Sequence, residues 1–229
     1  MSEKKQVPVT AGSEVAIERA KDFWTRNSKL ILGVGTVLLL AVAGYYFYKN
    51  SYQKPKEEKA ADAMFKAEAY WGKDSISLAL NGDGQNLGFL KIIDRFSGTD
   101  AANIAHFYAG DCYVKLKDNA NAIKHLKKFS TDAKQVQQSA YKLLGDAYAD
   151  MNNNSEAFDY YKKAAHHFEE DKSSSAEALF LAANLADGPL KNPKEAIALF
   201  TELKEKYPRT AQAAQADTYL AKLGVYNVN

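Results

Sequence analysis

The chain has 229 residues, 46% of them hydrophobic and 25% charged, with a formal net charge of +2. This apolar content excludes a disordered chain, and 30 basic against 28 acidic side chains fall far short of the excess with which a nucleic-acid binder neutralises phosphates. Cys112 is the only cysteine, so neither an intrachain disulfide framework nor a thiolate metal cluster is available. The charge is unevenly spread: residues 1–29 hold six basic and four acidic side chains, residues 30–48 hold none, and the remaining 181 hold 24 of each.

Taken in chain order, the first element follows Ser13, which suits the N-cap of a helix running from Glu14 to about Arg26. Ile17, Ala20 and Trp24 recur at helical spacing and Phe23 widens the stripe, with Lys and Arg on the other face. Such a helix beside a membrane would lie in the interface; a frayed tail with a chance stripe is equally compatible.

Residues 30–48, LILGVGTVLLLAVAGYYFY, form nineteen uncharged positions. As a helix they extend roughly 28 Å, close to the roughly 30 Å of bilayer hydrocarbon. Tyr45, Tyr46 and Tyr48 at one end and Trp24 before the other fit the headgroup levels. A buried core helix seldom runs this long without charge. A cleaved signal is the other alternative, since Ala41-Val42-Ala43 resembles a cleavage site, but 29 residues precede the run and its apolar character continues through Phe47. The expectation is an uncleaved anchor. Arg19, Lys21, Arg26 and Lys29 before it balance Lys49, Lys54, Lys56 and Lys59 after it, so charge leaves the orientation open.

The rest of the chain, 49–229, shows helical periodicity and almost no strand alternation, which predicts an all-α fold. A long helix is expected over about 55–80, kinked or broken near Lys54-Pro55, then a loop over 81–88. Tyr108-Ala109-Gly110-Asp111-Cys112-Tyr113 aligns with Leu143-Leu144-Gly145-Asp146-Ala147-Tyr148 thirty-five residues on, and Phe180-Leu181-Ala182-Ala183-Asn184-Leu185 is a looser third copy. The spacing resembles the tetratricopeptide repeat, with the clearest copies at about 103–136, 138–171 and 175–211. Gly110, Tyr113, Ala122 and Phe129 hold the small and aromatic positions in one, and Leu144, Gly145, Tyr148, Ala157, Tyr161 and Ala164 in the next. Ala182, Leu185, Ala196 and Phe200 fit the third. The small residue lets two helices cross closely and the ring fills the space beside it. The stretch 89–102 echoes 203–213, each an apolar helix ending in an aromatic followed by a turn and Thr. A helix over 211–223 would cap the array. The expected fold is thus one N-terminal transmembrane helix followed by a tetratricopeptide-repeat-like α-solenoid.

No catalytic constellation emerges. Gly82, Gly84 and Gly88 lack the preceding strand and following Lys-Ser of a phosphate loop and read as a flexible turn, and Ile92 stands where a calcium loop would need its Glu. His166 and His167 are adjacent, so they point about 100° apart on a helix, and with Glu169 and Glu170 nearby they make at most a weak metal site. Cys112 reads as a small buried hydrophobe. The expectation is a protein with no enzymatic activity, no cofactor and no metal. What a repeat array offers is a groove lined by its first helices: Phe107, Asp111, Val114 and Lys115; Lys142, Asp146, Ala149 and Asp150; Leu179, Ala183 and Asp187.

The layout also resembles the YfgM family, ancillary subunits of the bacterial SecYEG translocon. The likeness is strongest over 15–48, where the segment ending in Lys21-Asp22-Phe23-Trp24, then Asn27-Ser28-Lys29, precedes a glycine-containing span that ends in aromatics. The resemblance implies a cytoplasmic tail over 1–29, a single pass through the inner membrane and a periplasmic repeat domain. It also implies the translocon and a PpiD-like membrane-anchored peptidyl-prolyl isomerase chaperone as partners, beside the lipid bilayer. A role in protein export would follow; the alternative is a cell-envelope scaffold for division or outer-membrane assembly.

Overall fold

The computed structural model describes the backbone of residues 10–226 and the side chains of 15–226. Residues 1–9, the Ser13 side chain and the last three residues, on which parts of the tail, cap and domain expectations fall, lie outside the described residues. The described residues are mostly helical, with no strand beyond an isolated bridge between Gly82 and Leu87. They fall into two units that divide between Pro55 and Lys56.

The first unit is built on α1, Thr10–Tyr48. Its backbone is already helical at Ser13 and continues through Asn27-Ser28-Lys29, so the expected separate helix ending near Arg26 is corrected. No Gly or Pro interrupts that junction, and the Asn27 amide donates back to Phe23 O at 2.9 Å. The apolar window is long enough to cross a membrane and none of it is buried. Leu39 and Phe47 are 73% and 74% exposed. Within it the Thr36 hydroxyl donates to Leu32 O at 2.8 Å, satisfying the side chain inside its own helix as a lipid environment requires. A π-helical turn, Lys49–Gln53, follows, with Tyr48 and Tyr52 stacked at 5.5 Å. The expected break near Lys54-Pro55 is this turn: Pro55 has no N–H and its ring crowds the preceding carbonyls, and the wider turn accommodates it without ending the helix.

In the second unit, which begins within α2 (Lys54–Gly72), that helix stops eight residues earlier than expected, and α3 (Ile76–Asn81) and α4 (Phe89–Arg95) follow. Then come α5 (Asp100–Lys115), α6 (Asn119–Leu126), α7 (Lys134–Asp150), α8 (Asn154–His167), α9 (Lys172–Asp187), α10 (Pro193–Lys206) and α11 (Ala211–Lys222). From α4 onward each helix packs on the next, with α5 also against α7 and α9 also against α11.

The turns repeat as the sequence does. Lys117, Asn152 and Lys191 each take a left-handed backbone (φ 61°, 58° and 51°) directly before the N-caps Asp118, Asn153 and Asn192. Asp118 N and Asn153 N donate to Tyr113 O and Tyr148 O, both at 2.9 Å. Asp74 (φ 56°), Ser75 and Tyr70 O repeat this arrangement at the end of α2. Hence α2 is the first helix of a further repeat, with Ala67 and Tyr70 in register with Gly110 and Tyr113. Its second helix is split into α3 and α4 by a loop. Gly82 and Gly88 cross there so closely that a Cβ on either would come 2.3 Å from backbone, and Tyr70 Oη donates to Asp83 at 2.6 Å. The loop expected to be a flexible turn is therefore pinned. The Tyr70 hydroxyl, with backbone and side-chain N–H groups of Asn86, holds the Asp83 carboxyl well below the usual carboxylate range.

Close crossing occurs where the small residues stand. A Cβ on Gly110 would lie 2.4 Å from Leu126 Cγ, and one on Gly145 2.5 Å from the Tyr161 ring. Between crossings the core is rich in alanine and anchored by Phe89, Ile92, Leu126, Leu179, Phe200 and Leu203, each at most 1% exposed.

Candidate interaction groove

Four side chains from three first helices converge on a cavity of about 260 Å³: Trp71 from α2, Phe107 and Asp111 from α5, and Lys142 from α7. Leu143, Gln138, Ser139, Ala164 and Ser174 complete it. Phe107 is steadied by Tyr108 and Phe129, whose ring centroids lie 5.6 and 5.3 Å away. The Trp71 indole N–H donates to Asp111 Oδ2 at 2.5 Å, while Lys115 reaches the same carboxylate at 3.1 Å and lies 4.7 Å over the indole ring. Across the cavity, Lys142 pairs with Asp146 at 3.1 Å and Glu177 at 3.3 Å, and Asp146 accepts the Tyr161 hydroxyl at 2.8 Å. Burial draws the Lys142 ammonium downward, but the two carboxylates outweigh it and hold it above the ordinary lysine range.

Of the expected groove residues, Phe107, Asp111 and Lys142 share the cavity, and Lys115 and Asp146 are tied to it by ion pairs. Val114 and Asp187 are half-buried outside its lining, and Asp150 ends α7 in an exposed pair with Lys117 at 2.8 Å. Leu179 and Ala183 are corrections: both are 0% exposed and belong to the core, because α9 is covered by α8, α10 and α11 together. Trp71 was missed by sequence reasoning. The signal was Ala67-x-x-Tyr70, which places Trp71 in register with Val114 on a first helix.

These observations agree with the comparisons. The family model of the tetratricopeptide repeat-like domain matches residues 21–144, more than half of the chain. The chain belongs to the tetratricopeptide repeat-like domain family. Two further tetratricopeptide repeat models match residues 138–165 and 177–210. No curated protein matches the chain. As a tetratricopeptide-repeat protein it is a protein–protein interaction scaffold, and nothing in the comparisons points to catalysis.

The remaining chemistry-bearing residues of this tetratricopeptide array are buried or paired with one another. Burial pushes the Cys112 thiol up to about 12, far from a reactive thiolate. His166 gathers with Glu169 and Glu202, not with Glu170, while His167 points away to meet Tyr141 edge-on at 5.3 Å. Lys206 supplies the positive charge there, at 2.8 Å from Glu169 and 3.1 Å from Glu202. Between α5 and α6 the Nδ1 atoms of His106 and His125 lie 3.0 Å apart, one imidazole donating to the other.

Proposed function

We propose that the chain is a single-pass anchored scaffold of the bacterial inner membrane, with its N-terminus cytoplasmic and its repeats periplasmic. In this reading it stands beside the SecYEG translocon and brings a PpiD-like membrane-anchored peptidyl-prolyl isomerase chaperone to emerging chains. The observation that carries it is the coupling, in one chain, of a membrane-length helix whose apolar window is unburied to a repeat array holding a lined groove. The resemblance of residues 15–48 to the translocon-associated family supplies the location. The mechanism is tethering: confinement beside the exit raises the partner's effective concentration without any new contact.

Co-purification from gently solubilised membranes, with identification of the bound chains, tests it. Sec components and a membrane-anchored isomerase are the expected result. Division or outer-membrane assembly proteins in their place would instead mark a cell-envelope scaffold, and would overturn the proposal. For orientation, a reporter fused at Asn229 is expected on the periplasmic side.

A further inference from the structure

We infer that His166, Glu169 and Glu202 form a binding site for a divalent metal ion of the zinc class, in competition with the Lys206 ammonium. The site goes beyond the scaffold reading and does not depend on it. His166 lies in the last turn of α8, Glu169 follows in the turn before α9, and Glu202 reaches them from α10, with the three ligand atoms within 4.8 Å of one another. The observation that points to a cation involves a group outside these three. His166 Nδ1 is 2.9 Å from Lys162 O, and a carbonyl oxygen only accepts, so Nδ1 carries the proton. In the neutral imidazole Nε2 is then a bare lone pair, and it faces Glu202 Oε1 at 2.9 Å. Two acceptors at that distance require a cation, either a second proton on the ring or a metal ion. A backbone carbonyl that fixes one ring nitrogen while the other turns toward carboxylates is also how metal-ligating histidines are oriented. The donor set selects the ion: one imidazole nitrogen and two carboxylates, without thiolate, suit zinc, whereas calcium and magnesium take oxygen ligands. Bonds of about 2.0–2.2 Å set tetrahedral ligand atoms roughly 3.4 Å apart. The His166–Glu202 separation is close to this, and Glu169, on a turn and 42% exposed, has room to adjust. Lys206 holds the place of the ion, 2.8 Å from Glu169 and 3.1 Å from Glu202. Its ammonium is a single charge on a flexible stem, 41% exposed, and returns to water when a doubly charged ion replaces it. Metal binding thereby ties α8 to α10, the second helices of successive repeats.

The full chain, free of any histidine tag and held in nanodiscs of zwitterionic lipid, is titrated with zinc by calorimetry at about pH 8, where an ordinary imidazole is neutral. One ion per chain is expected, saturating below millimolar zinc. His166→Gln and Glu202→Gln should each weaken binding by about 10-fold or more. Lys206→Gln should tighten it several-fold, because the competing ammonium is gone, a gain that loss of a merely structural ion pair would not produce. His167→Gln should leave it unchanged, since that ring points away to Tyr141. Zinc should also raise the melting temperature of the unsubstituted chain and not that of His166→Gln, each read against its own zinc-free melt, so that a variant that folds poorly is recognised by its baseline. No saturable binding by the Lys206→Gln variant, binding by Lys206→Gln no tighter than by the unsubstituted chain, or undiminished binding by His166→Gln would each overturn the inference. So would loss of binding on replacing His106 and His125 with Gln, which would place the ion elsewhere.

Discussion

Gly145 shows how much a single hydrogen atom in place of a methyl group decides. Its missing Cβ would sit 2.5 Å from the Tyr161 ring, and Tyr161 is 4% exposed with its hydroxyl committed to Asp146. Gly145→Ala should therefore cost about 1–3 kcal/mol by overpacking. Gly72→Ala, where nothing lies within 4 Å, should be neutral or slightly stabilising. Urea unfolding of both variants of the full chain checks the contrast. The histidine pair adds a pH dependence. Burial lowers His106 and His125, the latter to about 4, and Lys128 lowers both; His106 and Lys124 add to the effect on His125, against which Tyr113 stacks. The folded pair thus binds protons less readily than the unfolded one, so its contribution is complete above the unfolded value near 6.5 and is lost as pH falls from there toward 4. Replacing both with Gln should flatten the melting temperature across that window, measured by circular dichroism. The small and aromatic positions were legible because helix crossing dictates them. Leu179 was not: its register matches Phe107 and Lys142, but burial at that register depends on which later helices cover α9.

At the scale of elements, the echo between 89–102 and 203–213 is one device used twice. Thr99 Oγ1 donates to Phe96 O at 2.7 Å and accepts from Ala102 N at 3.1 Å. Thr210 Oγ1 donates to Tyr207 O at 2.8 Å and accepts from Ala213 N at 3.2 Å. Each Thr closes a turn behind a buried aromatic and caps the next helix. Thr99→Ala and Thr210→Ala should each cost about 1 kcal/mol, and because they lie at opposite ends of the array the double variant should lose about the sum; chemical denaturation tests both values. This echo was visible because cap and aromatic are local signals. The repeat headed by α2 was hidden because its second helix is cut by the 82–88 loop, which breaks the spacing on which self-similarity depends. The separate interfacial helix failed for the opposite reason: nothing at Asn27-Ser28-Lys29 ends a helix, and the stripe of Ile17, Ala20 and Trp24 simply continues into the apolar run.

For the whole molecule, the charge distribution and the helices tell one story. The uncharged residues 30–48 lie within a helix whose apolar window is unburied among the described residues, and the charge-balanced remainder builds a repeat array whose cavity charges are paired with one another. In the proposed reading a membrane covers the first part and a protein partner meets the second. The direct test is site-specific photocrosslinking in intact membranes, with a photoreactive residue at Ser139 beside the cavity and, separately, at the exposed Asp159 on α8. Adducts to a discrete protein partner from position 139, and none from position 159, are the predicted result. Adducts from position 159 with none from position 139 would contradict the account.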